Sequence, residues 1–435
     1  MSLPFPNERD HSLLSFVFIT AKTYNKYRQR IKTPGGSMKK IFIGLILTLL
    51  IFLSGTGFLK TKPEAGDPED LRKFSSLMRG FSFDIFFQLA GEDNLFISPY
   101  SIHTAVSMAY LGADGDTAEE MGAVLNLKEI DPENMLEDSF SLKKYLEDFS
   151  AENKLSIANA LFLREDIPFL DSYKASVRNY FEAEISALPE TGEPVNDWVY
   201  EKTRQKIDGI IDEGPIDEEV LSYLVNAIYF KGIWNQEFDE EKTGQDTFYA
   251  PGGEVKIDMM ENRGVYKFAV SEFVKALTIE YREGDYLFHV FMPTDGRTLR
   301  DFYQDFDIQR FEDMKPTEPR EIVLRFPKFT LEDDLSLLEA LNELGINKAF
   351  DGREADFSKM ADLEKLEALN IFISDVLHAS FIEVDEKGTE AAALTAVEIR
   401  AVSAPMPVEF NKPFFFIIEE PETGTILFLG QLINP

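Results

Sequence analysis

Between Val384 and Pro413 the chain reads V-D-E-K-G-T-E-A-A-A-L-T-A-V-E-I-R-A-V-S-A-P-M-P-V-E-F-N-K-P. Thr389, Ala391, Ala393, Thr395, Val397, Ile399 and Ala401 fall on one parity and carry no charge, while Glu390, Glu398 and Arg400 fall on the other. That is the period of a strand with one face built for burial. No proline interrupts Glu386–Ala404, so every backbone N–H there can join a ladder, and Pro405 and Pro407 end that capacity. A strand covered on both faces would be apolar almost throughout, and one left in water would not spend small uncharged residues on every second position. The stretch is suited to become an inner strand. E-A-A-A-L is also a good helix former, so a surface helix is the competing reading on propensity alone.

A sizeable core is available, because 44% of the 435 residues are apolar and 38 are Phe. Such a length suggests two or three average domains, although some single domains exceed that size. The net charge of −33 is unevenly placed. Residues 1–60 hold nine Lys or Arg against Glu8 and Asp10, which leaves 35 basic against 75 acidic residues beyond, a net −40. Such a body repels nucleic acid and anionic lipid and argues against a polyanionic activator. The absence of cysteine excludes disulfides, thiolate metal sites and cysteine catalysis, and leaves the redox compartment open.

From Met38 the chain reads M-K-K-I-F-I-G-L-I-L-T-L-L-I-F-L-S-G-T-G: a basic start, a run of about 13 apolar residues, then small residues. This is the layout of a secretory signal over residues 38–59, with residues 1–37 an uncertain upstream extension. An uncleaved anchor competes, since Ile41–Leu59 has no charge over 19 residues and ~20 span a bilayer. Residues 60–70 read as a linker.

Leu71–Ala90 has helical spacing of apolar residues. In N-L-F-I-S-P-Y-S-I-H, a short strand breaks at Pro99 into a helix that Ser98 can start. Thr117 with Glu120 predicts a capping box, and the preceding D-G-D is a turn, since no calcium-loop series follows it. Lys154–Leu163 reads as an interior strand, Ser172–Leu188 and Val195–Ile211 as helices, and L-S-Y-L-V-N-A-I-Y-F-K-G from Leu221 as a long central strand. Asn226 and His378, each inside such a strand, must find partners there, because an unpaired buried amide costs ~1–3 kcal/mol. Residues 243–330 read as successive strands, Glu321–Phe329 as another, Leu335–Leu344 as a helix ended by Gly345, and residues from Phe414 as a buried hairpin. Carboxylate runs such as Glu119-Glu120, Asp239-Glu240-Glu241 and Asp333-Asp334 read as solvated faces. Four histidines give no metal pair, and no G-x-S-x-G, phosphate-loop or H-E-x-x-H motif occurs, so neither an enzyme nor a metal or cofactor site is expected.

The pieces E-K-G-T-E-A-A-A from Glu386, F-N-K-P-F from Phe410 and L-S-Y-L-V-N-A-I-Y-F-K-G resemble those of the serpins, serine protease inhibitors that trap their target by a conformational change. The likeness spans nearly all of residues 71–435. It implies an α+β fold, one domain of three β-sheets with eight or nine helices and an exposed reactive loop at 386–409. Glu386, Lys387, Gly388, Thr389, Glu390, Ala391, Ala392 and Ala393 correspond to the hinge. Seventeen residues from Glu386 to Val402 and seven from Ser403 to Glu409 match the family's spacing, which puts the reactive bond at Val402–Ser403. Ser98, Ser101, Asn226 and His378 match a structural polar cluster beneath the place where the main sheet opens. Trp234 matches the aromatic residue where insertion starts, with plain core packing as its competing reading.

The resemblance thus implies a monomeric suicide substrate that forms a covalent acyl-enzyme with a serine protease. Thr389 is expected to pass first from solvent into the sheet. Val402 suits the shallow apolar pocket of an elastase-like or subtilisin-like enzyme, while Arg400 would suit a trypsin-like one if the cut shifted by two residues. A non-inhibitory member of the fold, serving as carrier, chaperone or storage protein, is the alternative; bulky or charged hinge residues would mark it.

Overall fold

The computed structural model describes residues 68–435 apart from 149–152, 219, 295, 305, 366–369 and 390–404. Its first helix, Pro68–Leu89, buries Leu71, Phe74, Met78, Phe81, Ile85 and Phe86, the stripe that the apolar spacing demands. It starts three residues ahead of Leu71, inside the stretch expected as linker. Strand β1 (Leu95–Ile97) leads into the helix Pro99–Tyr110, buried except at its last residue. Ser98 caps it as expected, its Oγ accepting the Ser101 N–H at 3.3 Å. Pro99 sits where no N–H is needed.

Fourteen further strands follow: β2 (Lys154–Leu163), β3 (Glu184–Ala187), β4 (Ser222–Ile233), β5 (Gly244–Ala250), β6 (Gly253–Val270), β7 (Val274–Glu280), β8 (Leu287–Pro293), β9 (Pro319–Pro327), β10 (Phe329–Ser336), β11 (Asp375–Val384), β12 (Gly388–Thr389), β13 (Met406–Glu409), β14 (Phe414–Glu420) and β15 (Thr425–Leu432). They make two hydrogen-bonded sheets among the described residues. The first has the order β10-β11-β4-β2-β3, with β12 on β4; the second runs β1-β15-β14-β8-β7-β6-β9-β13, with β5 on β6. The expected third sheet is joined to the second, because β6 pairs with β5 along its first residues and with β9 and β7 along the rest. Nine α-helices lie among the described residues.

The second sheet is locked by rings. Phe288 stacks on Phe416 at 5.1 Å and Phe96 on Phe428 at 5.0 Å. Phe415 meets Phe86 of the first helix at 5.1 Å and Phe306 at 5.4 Å. Such pairs add ~0.5–1.5 kcal/mol each beyond their burial.

Several local expectations fail for identifiable reasons. The helix from Asp171 stops at Tyr180, and the following residues form β3 because a partner is waiting: Ala160–Leu163 of β2 pair with Glu184–Ala187. Tertiary pairing outweighs weak helix propensity there. The helix expected over 195–211 ends at Lys202, and Arg204 and Gln205 take positive φ. Beyond it, side chains replace helical bonds: Thr203 Oγ1 accepts the Ile207 N–H, and Asn196 Oδ1 accepts those of Ile210 and Ile211. Thr117 and Glu120 form no capping box. Thr117 accepts the Asp356 N–H, and Glu120 accepts those of Asn347 and Lys348.

Residues 243–330 are not strands throughout, since short helices occupy Leu299–Tyr303 and Ile308–Met314. The first opens on a Thr298–Asp301 capping box. Leu335 and Ser336 end β10, and the helix that follows is Leu338–Leu344, closed by Gly345 at φ 115°. Asp333 is not on a solvated face. Its carboxylate accepts the Phe96 N–H at 2.6 Å, and burial pushes its pKa up to about 6.

Candidate functional site

At the upper end of the first sheet, β11 and β4 run parallel in register from Asp375↔Tyr223 to Phe381↔Tyr229 and then separate. The segment expected as the hinge enters the opening through Gly388 and Thr389. After Val384 the chain reverses in an Asx-type turn: Asp385 Oδ1 accepts the N–H of Lys387 (2.9 Å) and of Gly388 (3.0 Å), and Asp385 N–H donates to Gly388 O. Gly388 has φ 150°, and a Cβ there would lie 2.1 Å from Gly232 O, so only glycine fits. Gly388 and Thr389 then pair antiparallel with Ile233 and Gly232.

The turn is held from both sides. Trp234 donates its backbone N–H to Lys387 O (2.9 Å) and its indole N–H to Asp385 O (3.0 Å). Phe238 N–H donates to Glu386 O at 2.7 Å. The buried Glu386 carboxylate accepts from Thr243 Oγ1 (2.7 Å) and Lys328 Nζ (2.9 Å). Burial disfavours its charge, yet these two donors hold its pKa below the usual range. Lys387 faces Glu240 at 3.1 Å.

Trp234, fully buried, stacks on Tyr281 with ring centroids 4.4 Å apart. It both packs in the core and clamps the turn. Thr389 is 2% exposed, and its hydroxyl lies 3.0 Å from the Tyr281 hydroxyl. The expectation that Thr389 begins in solvent is therefore corrected: a partner ladder and a buried hydroxyl already receive it. Glu390, Ala391, Ala392, Ala393, Val402 and Ser403 lie outside the described residues. Beyond them β13 pairs parallel with β9, and Phe410, buried, meets Phe326 at 5.7 Å.

Lower in the same sheet a polar chain crosses the strands. The Ser98 N–H donates to His378 Nε2 at 3.0 Å, so that nitrogen is bare and Nδ1 carries the proton. Nδ1–H donates to Asn226 Oδ1 at 3.2 Å, Asn226 Nδ2 donates to Asn159 Oδ1 at 2.8 Å, and Asn159 Nδ2 reaches Phe181 O at 3.4 Å. Burial lowers the His378 pKa to about 3, so the ring is neutral at ordinary pH. Ser380 Oγ donates to Phe96 O at 2.6 Å. The structure thus brings Ser98, Asn226 and His378 together. Ser101 stands beside them, but its buried hydroxyl has no hydrogen-bond partner among the described residues, and its backbone N–H joins the group by donating to Ser98 Oγ. At the middle of this seam the pairs are Asn226↔His378, Ala227↔Ala379 and Ile228↔Ser380, flanked by Leu377↔Val225 and Phe381↔Tyr229.

Asn159, Tyr281 and Asn153 were missed in the sequence. Asn153 Oδ1 accepts the Ile233 N–H at 2.9 Å and so pins the top of β4. Asn159 was detectable, because an amide inside K-L-S-I-A-N-A-L-F-L poses the same problem as Asn226. Tyr281 gave no local signal. Among the described residues no three His, Asp or Glu side chains are placed to hold a metal, and no helix is long and apolar enough to cross a membrane. Ile41–Leu59 lies outside them.

The profile of the family described as "Serpin (serine protease inhibitor)" matches residues 76–435. An uncharacterized serpin-like protein of Thermococcus kodakarensis is 32% identical over 430 residues, covering 90% of this chain and 98% of that protein. Iripin-2 of Ixodes ricinus is 34% identical over 360 residues, covering 78% and 88%. The native-state crystal structure of the thermophilic serpin tengpin matches with TM-score 0.74 at 29% identity, over 83% of this chain and 94% of that one. Thyroxine-binding globulin in complex with thyroxine also gives 0.74, at 25% identity, over 83% and 99%. Sheet order and family match agree, and the chain belongs to the serpin family.

Proposed function

We propose that this chain is a suicide-substrate inhibitor of serine proteases, cut at Val402–Ser403. The observation that carries the reading is the hinge: Gly388 and Thr389 already run antiparallel to β4 at the point where β4 and the parallel β11 part. A strand continuing from Thr389 down that gap would be antiparallel to both neighbours. It would replace one parallel ladder by two antiparallel ones, which are slightly more stable per residue and twice as numerous. The protease serine attacks the Val402 carbonyl and forms an acyl-enzyme. The severed segment, about 15 residues at ~3.3 Å each, then enters the sheet and drags the protease ~50 Å before water can release it. The uncut fold is metastable, held by a kinetic barrier.

Val402 favours an elastase-like or subtilisin-like target. The apolar segment after Met38 favours export, with cleavage or retention as an anchor, and the inhibitor acts as a monomer. The likeness to thyroxine-binding globulin keeps a carrier role as the second reading; the small, uncharged inward hinge residues argue against it. Incubation with pancreatic elastase or subtilisin is expected to give a complex that survives a denaturing gel, with a released fragment beginning at Ser403. A fragment beginning at Ala401 would reject Val402, and cleavage without a complex would reject inhibition.

A further inference from the structure

We propose that Tyr281 is the seat of the hinge in the uncut chain. Its hydroxyl latches Thr389 into the first sheet, so that insertion starts from strand residues already in place. The inference rests on the inhibitor reading for its consequence, but not for its geometry. Tyr281 and Thr389 are both buried, and within the described residues neither hydroxyl has a partner other than the second, 3.0 Å away. The phenol is itself fixed, stacked on Trp234 at 4.4 Å and edge-on to Phe230 at 5.2 Å.

Two glycines make the seat possible. A Cβ on Gly232 would come within 2.4 Å of the Tyr281 ring, and one on Gly388 within 2.1 Å of Gly232 O. Hinge, strand β4 and phenol therefore lie in direct layers with no room for a side chain between them. Burial holds the phenol far above its ordinary pKa, so it keeps its proton and the hydroxyl pair survives at any working pH. The first ordering cost of insertion is met before the protease arrives. Tyr281 touches neither the protease nor the reacting bond, so it is a positioning residue.

The test pairs Tyr281→Phe with Thr389→Val, singly and together, in the full chain. Without protease, amide exchange at Trp234 and Phe238, whose acceptors are the Lys387 and Glu386 carbonyls, is expected to rise about tenfold in each single variant, the factor for one lost buried hydrogen bond. The double variant is expected to add nothing further. With protease, the rate of loop cleavage stays as in the parent while more inhibitor is consumed per protease trapped. Unchanged exchange, or single effects that add in the double variant, would overturn the latch. Thr389→Val reports on the bond even if Tyr281→Phe fails to fold. A parent chain that traps no protease would overturn the inhibitor reading alone, and exchange would still decide the latch.

Discussion

Replacing Asn226 by Ala should weaken the uncut molecule more than the cut one. In the uncut chain the substitution strands two buried groups: His378 Nδ1–H loses its acceptor and Asn159 Oδ1 its donor. The imidazole has no escape by tautomer exchange, because a proton on Nε2 would face the Ser98 N–H. At ~1–3 kcal/mol for each orphaned group the loss is about 2–6 kcal/mol. With an unfolding entropy of ~2.1 cal/mol/K per residue over about 365 residues, that corresponds to a fall of roughly 3–8 °C in Tm. In the cut molecule the inserted strand would move β11 from ~4.8 Å to ~9.6 Å from β4. The His378–Asn226 bond of 3.2 Å cannot span that gap, so only the Asn159 partner is at stake and the expected fall is about half. Calorimetry at one scan rate on intact and protease-clipped samples makes the comparison. Equal falls in the two forms, or none in the intact one, would refute the idea that this contact closes the sheet.

Acid should destabilise the fold through its buried histidines. His378 and His103 have folded pKa values lowered by burial to about 3 and about 4. Their contribution is complete above the unfolded value near 6.5 and is lost as pH falls toward those numbers, by ~1.4 kcal/mol per unit for each. Asp333, raised to about 6, works the other way and offsets one of them between pH 6 and 4. A melting temperature that stayed flat from pH 7 to 4 would contradict this. Thr389→Arg would bury an unpaired guanidinium at a position 2% exposed, a cost of several kcal/mol. The variant should be cut without forming a covalent complex, and persistence of the complex on a gel would disprove that. Gly388→Ala cannot seat the hinge against Gly232 O; limited thermolysin digestion should open new cleavage within 386–390, and an unaltered pattern would count against the seating.

What was legible in the sequence is what short segments decide. Ser98 and Pro99 start a helix by local bonding, the apolar run after Leu221 can only be a central strand, and Gly345 ends a helix through its own positive φ. The polar cluster was half legible, since Asn226 and His378 announce themselves as amide and imidazole in apolar strands. The rest depends on residues far apart in the chain. Thr389 looks like a solvent residue until Tyr281, 108 positions earlier, supplies a hydroxyl. Val195–Ile211 has a good helical pattern, but Asn196 and Thr203 divert the backbone with bonds that no periodicity encodes. Glu184–Ala187 is a strand only because β2 offers an edge.

The contrast between the two sheets has a consequence for how the molecule fails. Interlocked phenylalanines make the second sheet costly to pry apart, whereas β4 and β11 meet at mid-strand through Asn226 and His378, Ala227 and Ala379, and Ile228 and Ser380, a stretch poorer in large apolar pairs than the ring-packed sheet. Warming should therefore unzip β4 from β11 first, leaving an otherwise intact body with two bare strand edges. Such edges accept any extended segment, including one donated by a neighbouring molecule. Heat damage should accordingly accelerate with protein concentration and produce linked chains well before the rings of the second sheet let go.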